Sequence, residues 1–240
     1  QLQKYKVQSG TILKTTNGGS SWVVLASNTT NDLYDVDISP GSSSVVWVVG
    51  DKYTLLYSDN AGSTWTKKSE AGGMDFKAVK AISSNTALSL VSTSYTKGIL
   101  RTVDSGTAWS EVYSSFTALS GIDFDSGGSL GFAVGSDGKI LRSSDGGVNW
   151  AASVNSHSSS LYGVKTVSLR SLAVGAGGIV LEYDETSPTA PGNLTKTTAD
   201  SDNTPTFQWS NSADESGYSG SYTGSGVAKY EYAIDGGTYV

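Results

Sequence analysis

Short apolar runs separated by glycine-rich turns recur along the chain. Residues 45–49 and 132–134 are apolar runs that end at Gly50 and Gly135, and residues 139–142 form a second run after the next turn. No stretch keeps the 3.6-residue apolar period of an amphipathic helix. Runs rich in Val, Ile, Thr and Tyr between Gly-Gly, Asp-Gly and Asn-Gly pairs are typical of short strands joined by tight turns. The pattern predicts an all-β protein.

The predicted strands repeat in a fixed order. One run, at residues 33–38, 76–82, 119–124 and 161–167, precedes the run that ends near a glycine, and a third run follows at residues 11–14, 98–101 and 139–142. A fifth unit carries residues 172–175 and 178–181 and then Tyr183-Asp184-Glu185, with no Gly or Trp after it. The repeat therefore ends near residue 186.

A short motif, [S/T]-x-[D/N]-x-G-x-x-W, follows the third strand of four units. Its defining residues are Thr15, Asn17, Gly19 and Trp22; Ser58, Asn60, Gly62 and Trp65; Thr102, Asp104, Gly106 and Trp109; and Ser143, Asp145, Gly147 and Trp150. The tryptophans are 43, 44 and 41 residues apart. This period suits one four-stranded propeller blade.

The residue types of the motif suit a turn with an anchor. An Asp or Asn side chain accepts hydrogen bonds from backbone N–H groups further along the turn, and the Ser or Thr hydroxyl adds a local bond. Glycine permits a positive φ without steric cost. The tryptophan buries a large apolar surface next to the following strand. We interpret the motif as structural.

The fullest repeat, residues 133–150 with the sequence AVGSDGKILRSSDGGVNW, resembles the BNR/Asp-box β-propellers, above all those of the photosystem II stability/assembly-factor type. The resemblance covers residues 1–186. It implies a propeller of four-stranded Asp-box blades, in which about five blade units are visible and belong to a ring of six to eight. We expect the propeller to be incomplete at its N-terminal side; the alternative is a five-bladed ring that the N-terminal segment closes. The family includes sialidases, xyloglucanases, receptors and assembly factors, so the resemblance implies a fold more than a role.

A different pattern begins after a proline-rich linker at residues 187–192. Residues 193–240 include Thr204-Pro205-Thr206-Phe207-Gln208-Trp209 and a run in which Tyr230, Tyr232 and Ile234 alternate with other residues. This segment resembles bacterial Ig-like or fibronectin type III-like modules. We expect the first part of a β-sandwich, incomplete at its C-terminal side. Asp200, Asp202 and Asn203 offer oxygen ligands for Ca²⁺, but a plain turn is the favoured interpretation.

Composition narrows the classes of partner. The net charge is −6, and no local run of Lys or Arg supplies the basic surface that nucleic acid requires. Cysteine is absent, so disulfides are excluded. No stretch is apolar enough to insert into a membrane. No cofactor or metal is expected.

Two enzymatic hypotheses were tested against the residues. A sialidase needs three converging arginines, but Arg101 and Arg142 occupy the same position of successive repeats, where the first unit has Lys14, and only Arg170 remains. A xyloglucanase-like carboxylate pair could be Asp37 and Asp123. Lys80 and Lys165 hold the matching positions of the intervening units, so we interpret the four residues as interblade ion pairs. His157, the only histidine, lies in a serine-rich loop and is interpreted as solvated.

The sequence therefore favours a non-catalytic bacterial protein of the cell surface or extracellular space. Its propeller would act as a rigid binding or structural scaffold for a protein or glycan, or self-associate in a surface layer or filament, with Ig-like modules as spacers. Tyr53, Tyr57, Tyr95 and Tyr162 are the aromatic residues proposed for contact. Two alternatives stay open: a sialidase- or xyloglucanase-like enzyme with its catalytic residues outside this chain, and a photosystem II-type assembly factor.

Overall fold

The computed structural model describes residues 3–68, 75–92, 97–153, 157–167 and 170–184, and the strands at residues 195–196, 206–209 and 220–223. The chain divides into two compact units, residues 1–184 and residues 185–240. The described residues are almost entirely strands and turns, as the sequence pattern predicts.

The strands of the first unit form five antiparallel sheets in chain order. The first sheet contains β1 (Lys4–Gln8), β2 (Thr11–Thr15) and β3 (Val23–Leu25); the second β4 (Leu33–Ile38), β5 (Val46–Gly50), β6 (Thr54–Ser58) and β7 (Thr66–Lys67); the third β8 (Asp75–Ala81), β9 (Ala87–Ser92), β10 (Lys97–Thr102) and β11 (Ser110–Ser115); the fourth β12 (Leu119–Phe124), β13 (Gly131–Gly135), β14 (Ile140–Ser143) and β15 (Ala151–Ala152); and the fifth β16 (Leu161–Val167), β17 (Arg170–Gly175) and β18 (Val180–Asp184).

Each of the three central sheets is a meander in which every strand pairs with its neighbour in sequence. The first strands β4, β8, β12 and β16 contact one another from sheet to sheet, so they are the innermost strands. The fold is a β-propeller, as predicted. The first sheet begins with the equivalent of a second strand and the fifth contains three described strands, in agreement with the blade assignment from sequence.

The hydrophobic core lies between the sheets rather than within one of them. Four clusters of buried residues each join neighbouring sheets: Ile12 packs with Val46 between the first and second, Trp47 with Phe76 between the second and third, Leu88 with Leu141 between the third and fourth, and Val134 with Leu161 between the fourth and fifth. Because strand side chains alternate between two faces, each central sheet contributes to two clusters. This explains why β5 and β13 are apolar at every position.

The glycine that ends each second strand has a steric reason. A Cβ atom on Gly50 would lie 2.1 Å from the carbonyl oxygen of Asp32, and one on Gly135 would lie 2.0 Å from that of Ala118. These carbonyls belong to the segments that lead into the innermost strands. The backbone can pass this closely only without a side chain, which accounts for the repeated apolar run ending at glycine.

The four repeated motifs form the same hydrogen-bonded turn. In the fourth, Ser143 Oγ donates to Asp145 Oδ1 at 2.8 Å and accepts from the N–H of Gly147 at 2.9 Å, while Asn149 N–H donates to Asp145 Oδ1 at 2.9 Å. These bonds favour the ionised carboxylate and lower the pKa of Asp145 to about 2, the N–H of Asn149 being the largest cause. In all four turns the Ser or Thr hydroxyl of the motif accepts the backbone N–H of the motif glycine.

Each motif tryptophan lies immediately before the outermost strand of its sheet. Trp65, Trp109 and Trp150 pack against the core clusters that their sheets share with the preceding sheet, whereas Trp22, in the first sheet, is 40% exposed. Trp109 lies 6.2 Å from Trp47 and 5.9 Å from Phe76, measured between ring centroids, and Trp150 lies 5.7 Å from Phe124. The motif glycine faces the preceding sheet too, because a Cβ on Gly147, whose φ is +78°, would come within 2.4 Å of Leu88 Cδ2. The turns therefore fasten one sheet to the next.

The second unit contains one described antiparallel sheet with the strand order β19 (Thr195–Lys196), β20 (Thr206–Trp209) and β21 (Gly220–Thr223). The strand expected around Phe207 is present. The Ig-like assignment stays a prediction, and Tyr230, Tyr232, Ile234, Asp200, Asp202 and Asn203 lie outside the described residues. Among the described residues, no helix has the length and apolar character needed to cross a membrane.

Candidate functional site

The innermost strands share an irregularity that exposes one side chain at the same place. The register of β4 with β5 shifts between Leu33 and Asp35, and that of β8 with β9 shifts between Phe76 and Ala78. The strands β12 and β16 shift at the equivalent point. Such a bulge inserts one extra residue that pairs with no partner in the ladder. The extra residues are Tyr34, Lys77, Ser120 and Tyr162, and all four are exposed.

These four residues and the adjoining loops form a surface that we call the bulge face. Turns between second and third strands lie beside the segments that enter the innermost strands, because Asp51 N–H donates to Asp32 O at 2.8 Å and Ser136 N–H donates to Ala118 O at 2.9 Å. The bulge face is thus built from loops and strand starts on a rigid core. Such a placement is common for ligand-contacting residues.

Tyr34 is an exposed aromatic residue with several charged side chains around it. Tyr34 is 44% exposed, and Lys77 Nζ lies 4.7 Å from the centroid of its ring. Lys77 Nζ also lies 3.6 Å from Asp75 Oδ2. Partial burial raises the pKa of Tyr34, and the negative charges of Asp51, Asp32 and Asp75 raise that pKa further. The surroundings of Tyr34 are therefore acidic on balance.

The tyrosines proposed from sequence fall in different places. Tyr162 is a bulge residue and is 62% exposed, and Tyr53 lies in the adjoining turn with 37% exposure. Tyr57, however, packs edge-on against Trp47 at 4.9 Å and donates through its hydroxyl to Ser84 O at 3.3 Å, so it is a partly buried residue that packs against the core. Tyr95 lies outside the described residues. Sequence reasoning missed Tyr34, although it occupies the same repeat position as Tyr162.

The innermost strands also carry a chain of ion pairs. Lys80 Nζ lies 3.3 Å from Asp37 Oδ2 and 3.0 Å from Asp123 Oδ1. Lys165 Nζ lies 2.8 Å from Asp123 Oδ2. The four residues thus contact one another in the order in which their sheets follow along the chain. Asp37 and Asp123 share a lysine, which gives each carboxylate a cationic partner.

Backbone groups bind the same carboxylates across the sheet boundaries. Ala81 N–H donates to Asp37 Oδ2 at 2.9 Å, and Thr166 N–H donates to Asp123 Oδ2 at 2.7 Å. Burial alone would raise the pKa of Asp123, but the bonds from Lys165 and Thr166 and the charge of Lys80 outweigh it and lower that pKa. A carboxylate held ionised in this way cannot serve as a general acid near neutral pH. The ion pairs and these two backbone hydrogen bonds therefore link neighbouring sheets to one another.

Asp35 is a third carboxylate of this region that sequence reasoning did not single out. Its oxygens accept from Val36 N–H at 2.8 Å and from Val79 N–H at 2.9 Å, the latter in the next sheet. Burial nevertheless raises the pKa of Asp35. Asp35 lies one residue beyond the bulge, where the other sheets have Ala78, Gly121 and Gly163, so no repeated polar pattern marks it.

The arginines serve separate contacts. Arg101 Nε donates to Gly146 O at 3.1 Å in the next sheet, as Lys14 Nζ does to Ala61 O at 2.9 Å. Arg142 lies 5.9 Å from the ring centroid of Tyr183, and Arg170 lies 3.7 Å from Glu182. His157 is exposed. Within the described ranges, no group of His, Asp or Glu side chains is arranged to hold a metal ion.

Comparison with protein-family models finds no match, and comparison with curated proteins finds none either. Solved structures do match. An ancestral GH74 enzyme matches 93% of this chain and 36% of its own at 18% identity, with a TM-score of 0.56. The GH74 xyloglucanase from Xanthomonas campestris matches 93% of this chain and 42% of its own at 12% identity, with a TM-score of 0.61. YCF48 bound to a D1 peptide matches 77% of this chain and 90% of its own at 15% identity, with a TM-score of 0.40.

The two GH74 structures are propellers, and at such identities the likeness shows the fold. The chain spans about two fifths of the length of the two GH74 enzymes. The expectation that the chain is not an enzyme is wrong, because two of the structures that match it, each over 93% of its length, are GH74 enzymes. The sequence argument favoured a non-catalytic role because the residues of this chain form no catalytic set, and it kept an enzyme with catalytic residues outside this chain only as an alternative.

Proposed function

We propose that this chain is part of a carbohydrate-active propeller and that its bulge face binds a neutral polysaccharide. The observation that carries the proposal is the repeated bulge, which presents Tyr34 and Tyr162 at equivalent exposed positions. A tyrosine ring offers a flat apolar surface to the C–H groups of a sugar ring, and its hydroxyl remains available for hydrogen bonds. The fold shared with two GH74 enzymes supports the same class of ligand.

The charges near Tyr34 favour a neutral rather than an anionic glycan. Asp32, Asp51 and Asp75 act on Tyr34 as negative charges. Carboxylates accept hydrogen bonds from sugar hydroxyls, but they repel the carboxylates of uronic or sialic acids. The scattered arginines agree with this, because none of the described ones joins another to clamp a carboxylate. Xyloglucan, the substrate class named for one matched enzyme, is neutral and is the first polymer to test.

Cleavage is proposed for the whole protein and binding for this chain. Glycoside hydrolysis usually needs two carboxyl groups that flank the scissile bond. Asp37 and Asp123 do not fit that role, because both bind Lys80 and both accept backbone N–H groups. This chain therefore contributes the ring scaffold and the bulge face to the proposed enzyme.

The test is affinity electrophoresis of the chain through gels that contain xyloglucan, with polygalacturonate as the anionic comparison. We expect retardation by xyloglucan only. Tyr34→Ala and Tyr162→Ala should each weaken binding about tenfold, because each removes one stacking ring. Tyr34→Phe keeps the ring and should retain most of the binding.

The matched control is Val24→Ala, on an exposed outer strand away from the bulge face. Binding that is unchanged in Tyr34→Ala and Tyr162→Ala would reject the bulge face as the binding surface. Equal retardation by polygalacturonate would reject the neutral ligand.

Under this proposal the protein acts outside the cell, where structural polysaccharides occur. Detection of the protein in culture medium or at the cell surface, and its absence from the cytoplasm, would agree. An assembly-factor role is less well supported, because a basic patch on one propeller face would favour it, and the carboxylates of Asp32, Asp51 and Asp75 surround Tyr34 instead.

A further inference from the structure

The first repeated turn contains the only Asn-Gly pair of the sequence, Asn17-Gly18. Both residues are exposed, and Gly18 has a φ of +72°. The third and fourth turns have an aspartate at the position of Asn17, and the second has Asn60 followed by Ala61. The four turns therefore share one geometry but differ in the side chain at this position and in the residue that follows it.

Hydrogen bonds act on the side-chain amide of Asn17. Asn17 Oδ1 accepts from Thr15 Oγ1 at 2.8 Å and from the N–H of Ser21 at 3.0 Å, and Asn17 Nδ2 donates to Ser21 Oγ at 2.8 Å. Two donors on Oδ1 draw electrons from Cγ and stabilise the negative charge that develops on the oxygen when a nucleophile adds to Cγ. The turn therefore activates the amide carbon of an exposed side chain.

We propose that Asn17 is a site of spontaneous deamidation. The backbone nitrogen of Gly18 loses its proton and attacks Asn17 Cγ, which forms a new C–N bond and closes a five-membered succinimide ring. The bond between Cγ and Nδ2 breaks, and the leaving nitrogen takes up a proton and departs as ammonia. Water then adds to one of the two ring carbonyls and opens the ring to aspartate or isoaspartate. Asparagine and water thus give an acid and ammonia, without any oxidation or reduction.

The second turn holds its asparagine in the same way but lacks the glycine. Asn60 Oδ1 accepts from Ser58 Oγ and from the N–H of Thr64, each at 2.9 Å. The next residue, Ala61, has a φ of +57° and carries a Cβ that hinders the approach of its nitrogen to the amide. The N–H of Ala61 also donates to Ser44 O at 2.7 Å, which engages the nitrogen that would have to attack. Asn60 should therefore react much more slowly.

The fourth turn has the glycine but lacks the amide. The hydrogen bond from the N–H of Asn149 is the largest cause that lowers the pKa of Asp145 to about 2, so its side chain is an ionised carboxylate near neutral pH. A carboxylate anion resists nucleophilic attack, and the N–H of Gly146 donates to Ser129 O at 3.1 Å. Among the four motifs, only the one at Asn17 combines a side-chain amide with a following glycine.

The two products should affect the turn differently. An aspartate carboxylate can accept from Thr15 Oγ1 and from the N–H of Ser21 as the amide does, and it is the group that the third and fourth turns use. Isoaspartate inserts a methylene into the backbone at position 17. The hydrogen bond from Gly19 N–H to Thr15 Oγ1, 3.0 Å long, spans this position and should be lost. Both products add one negative charge.

The experiment is incubation of the 240-residue chain at about 37 °C and about pH 8, followed by anion-exchange chromatography and mass mapping of peptides. We expect acidic forms modified at Asn17, at a rate that rises with pH because the attacking nitrogen must lose a proton. Gly18→Ala should slow the modification at least about tenfold. The turn should accept this alanine, since Ala61 has a similar φ in the second turn and a Cβ on Gly18 would meet no atom within 4 Å.

Asn60 is the internal control, and Asn17→Asp is the reference for one product. Circular dichroism should show that both variants are folded, and Asn17→Asp should unfold at a higher temperature than the separated isoaspartate form. Absence of acidic forms modified at Asn17 would overturn the proposal. Equal rates in Gly18→Ala and the wild type, or equal modification of Asn60, would overturn it too, since either would remove the role of the glycine. None of these results depends on glycan binding.

Discussion

The second strands β5 and β17 occupy the same place in their sheets, yet they meet different surroundings. In β5 every residue is buried, because the second sheet has neighbours on both faces. In β17 burial alternates, because the fifth sheet has a described neighbour on one face only. The strands end at equivalent glycines and carry apolar residues at equivalent positions.

This difference shows which contacts stabilise a propeller. A single sheet of this type has no interior of its own, and apolar burial arises only when the face of one sheet meets the next. The same side-chain position is therefore a core residue or a surface residue, depending on whether another sheet packs against it. Substitutions at paired positions can measure how far this description holds.

The largest expected effect is the difference in the free energy of unfolding between alanine substitutions at Trp47 and at Leu172. Trp47→Ala should reduce the free energy of unfolding by about 3–5 kcal/mol, because it opens a cavity among Phe76, Tyr57 and Trp109. Leu172→Ala should cost less than about 1 kcal/mol in the monomer, since the side chain is already half in water. Urea unfolding at low protein concentration measures both. Similar losses would show that the Leu172 side chain is covered within one chain.

A smaller difference is expected between the two lysines of the ion-pair chain. Lys80→Met should destabilise the chain by about 2 kcal/mol, because Asp37 and Asp123 lose the cation that they share in a half-buried site. Lys165→Met should cost less than about 1 kcal/mol, because the Lys165 side chain is mostly exposed. Unfolding measured by intrinsic tryptophan fluorescence suffices. If Lys165→Met proved the more costly substitution, the exposed Lys165–Asp123 ion pair would contribute more to stability than the two ion pairs of Lys80.

The smallest expected effect concerns pH. The pKa of Asp35 is raised in the folded state above its ordinary 3.8, so the folded protein holds this proton more tightly than the unfolded chain. Ionisation of Asp35 therefore lowers the stability of the fold as the pH rises from about 3.8 through the raised pKa of the folded state. Asp123 has the opposite effect: its pKa is lowered in the folded state, so it contributes stability that disappears as the pH falls below about 3.8.

Asp35→Asn removes the first effect only. As the pH rises above about 3.8, the stability of the variant should fall less, or rise more, than that of the wild type, by less than about 1 kcal/mol, whatever constant offset the amide introduces. Thermal unfolding at a series of pH values records the slope. A slope identical to that of the wild type would show that Asp35 does not titrate in this range.

Much of the fold could be predicted from the sequence because its signals are local. The residues of each repeated turn bond mainly within four positions of one another, as Ser143 and Asp145 do, so the same letters recur in each unit. The innermost strands at residues 33–38, 119–124 and 161–167 were located at their observed bounds for the same reason.

The features that the sequence did not reveal depend on the neighbouring sheet. Asp35 accepts a hydrogen bond from the backbone N–H of Val79, 44 residues away. Every residue except proline carries such an N–H, so the residue type at position 79 gives no sign of this bond. Tyr57 looked like a surface tyrosine, but its ring is held by Trp47 in the core. The bulge that exposes Tyr34 has no consensus residue, since the four extra residues are Tyr, Lys, Ser and Tyr.

The lack of a consensus residue at the bulge has a consequence for how such a protein can evolve. The residue before each extra residue is Leu, Phe, Leu or Leu, and the second residue after it is Val, Val, Ile or Val, so the flanks stay apolar from unit to unit. The inserted position is released from the strand pairing that constrains its neighbours. Duplication of a blade would therefore copy an intact scaffold together with one position that is free to diversify, and a new surface could evolve one side chain at a time.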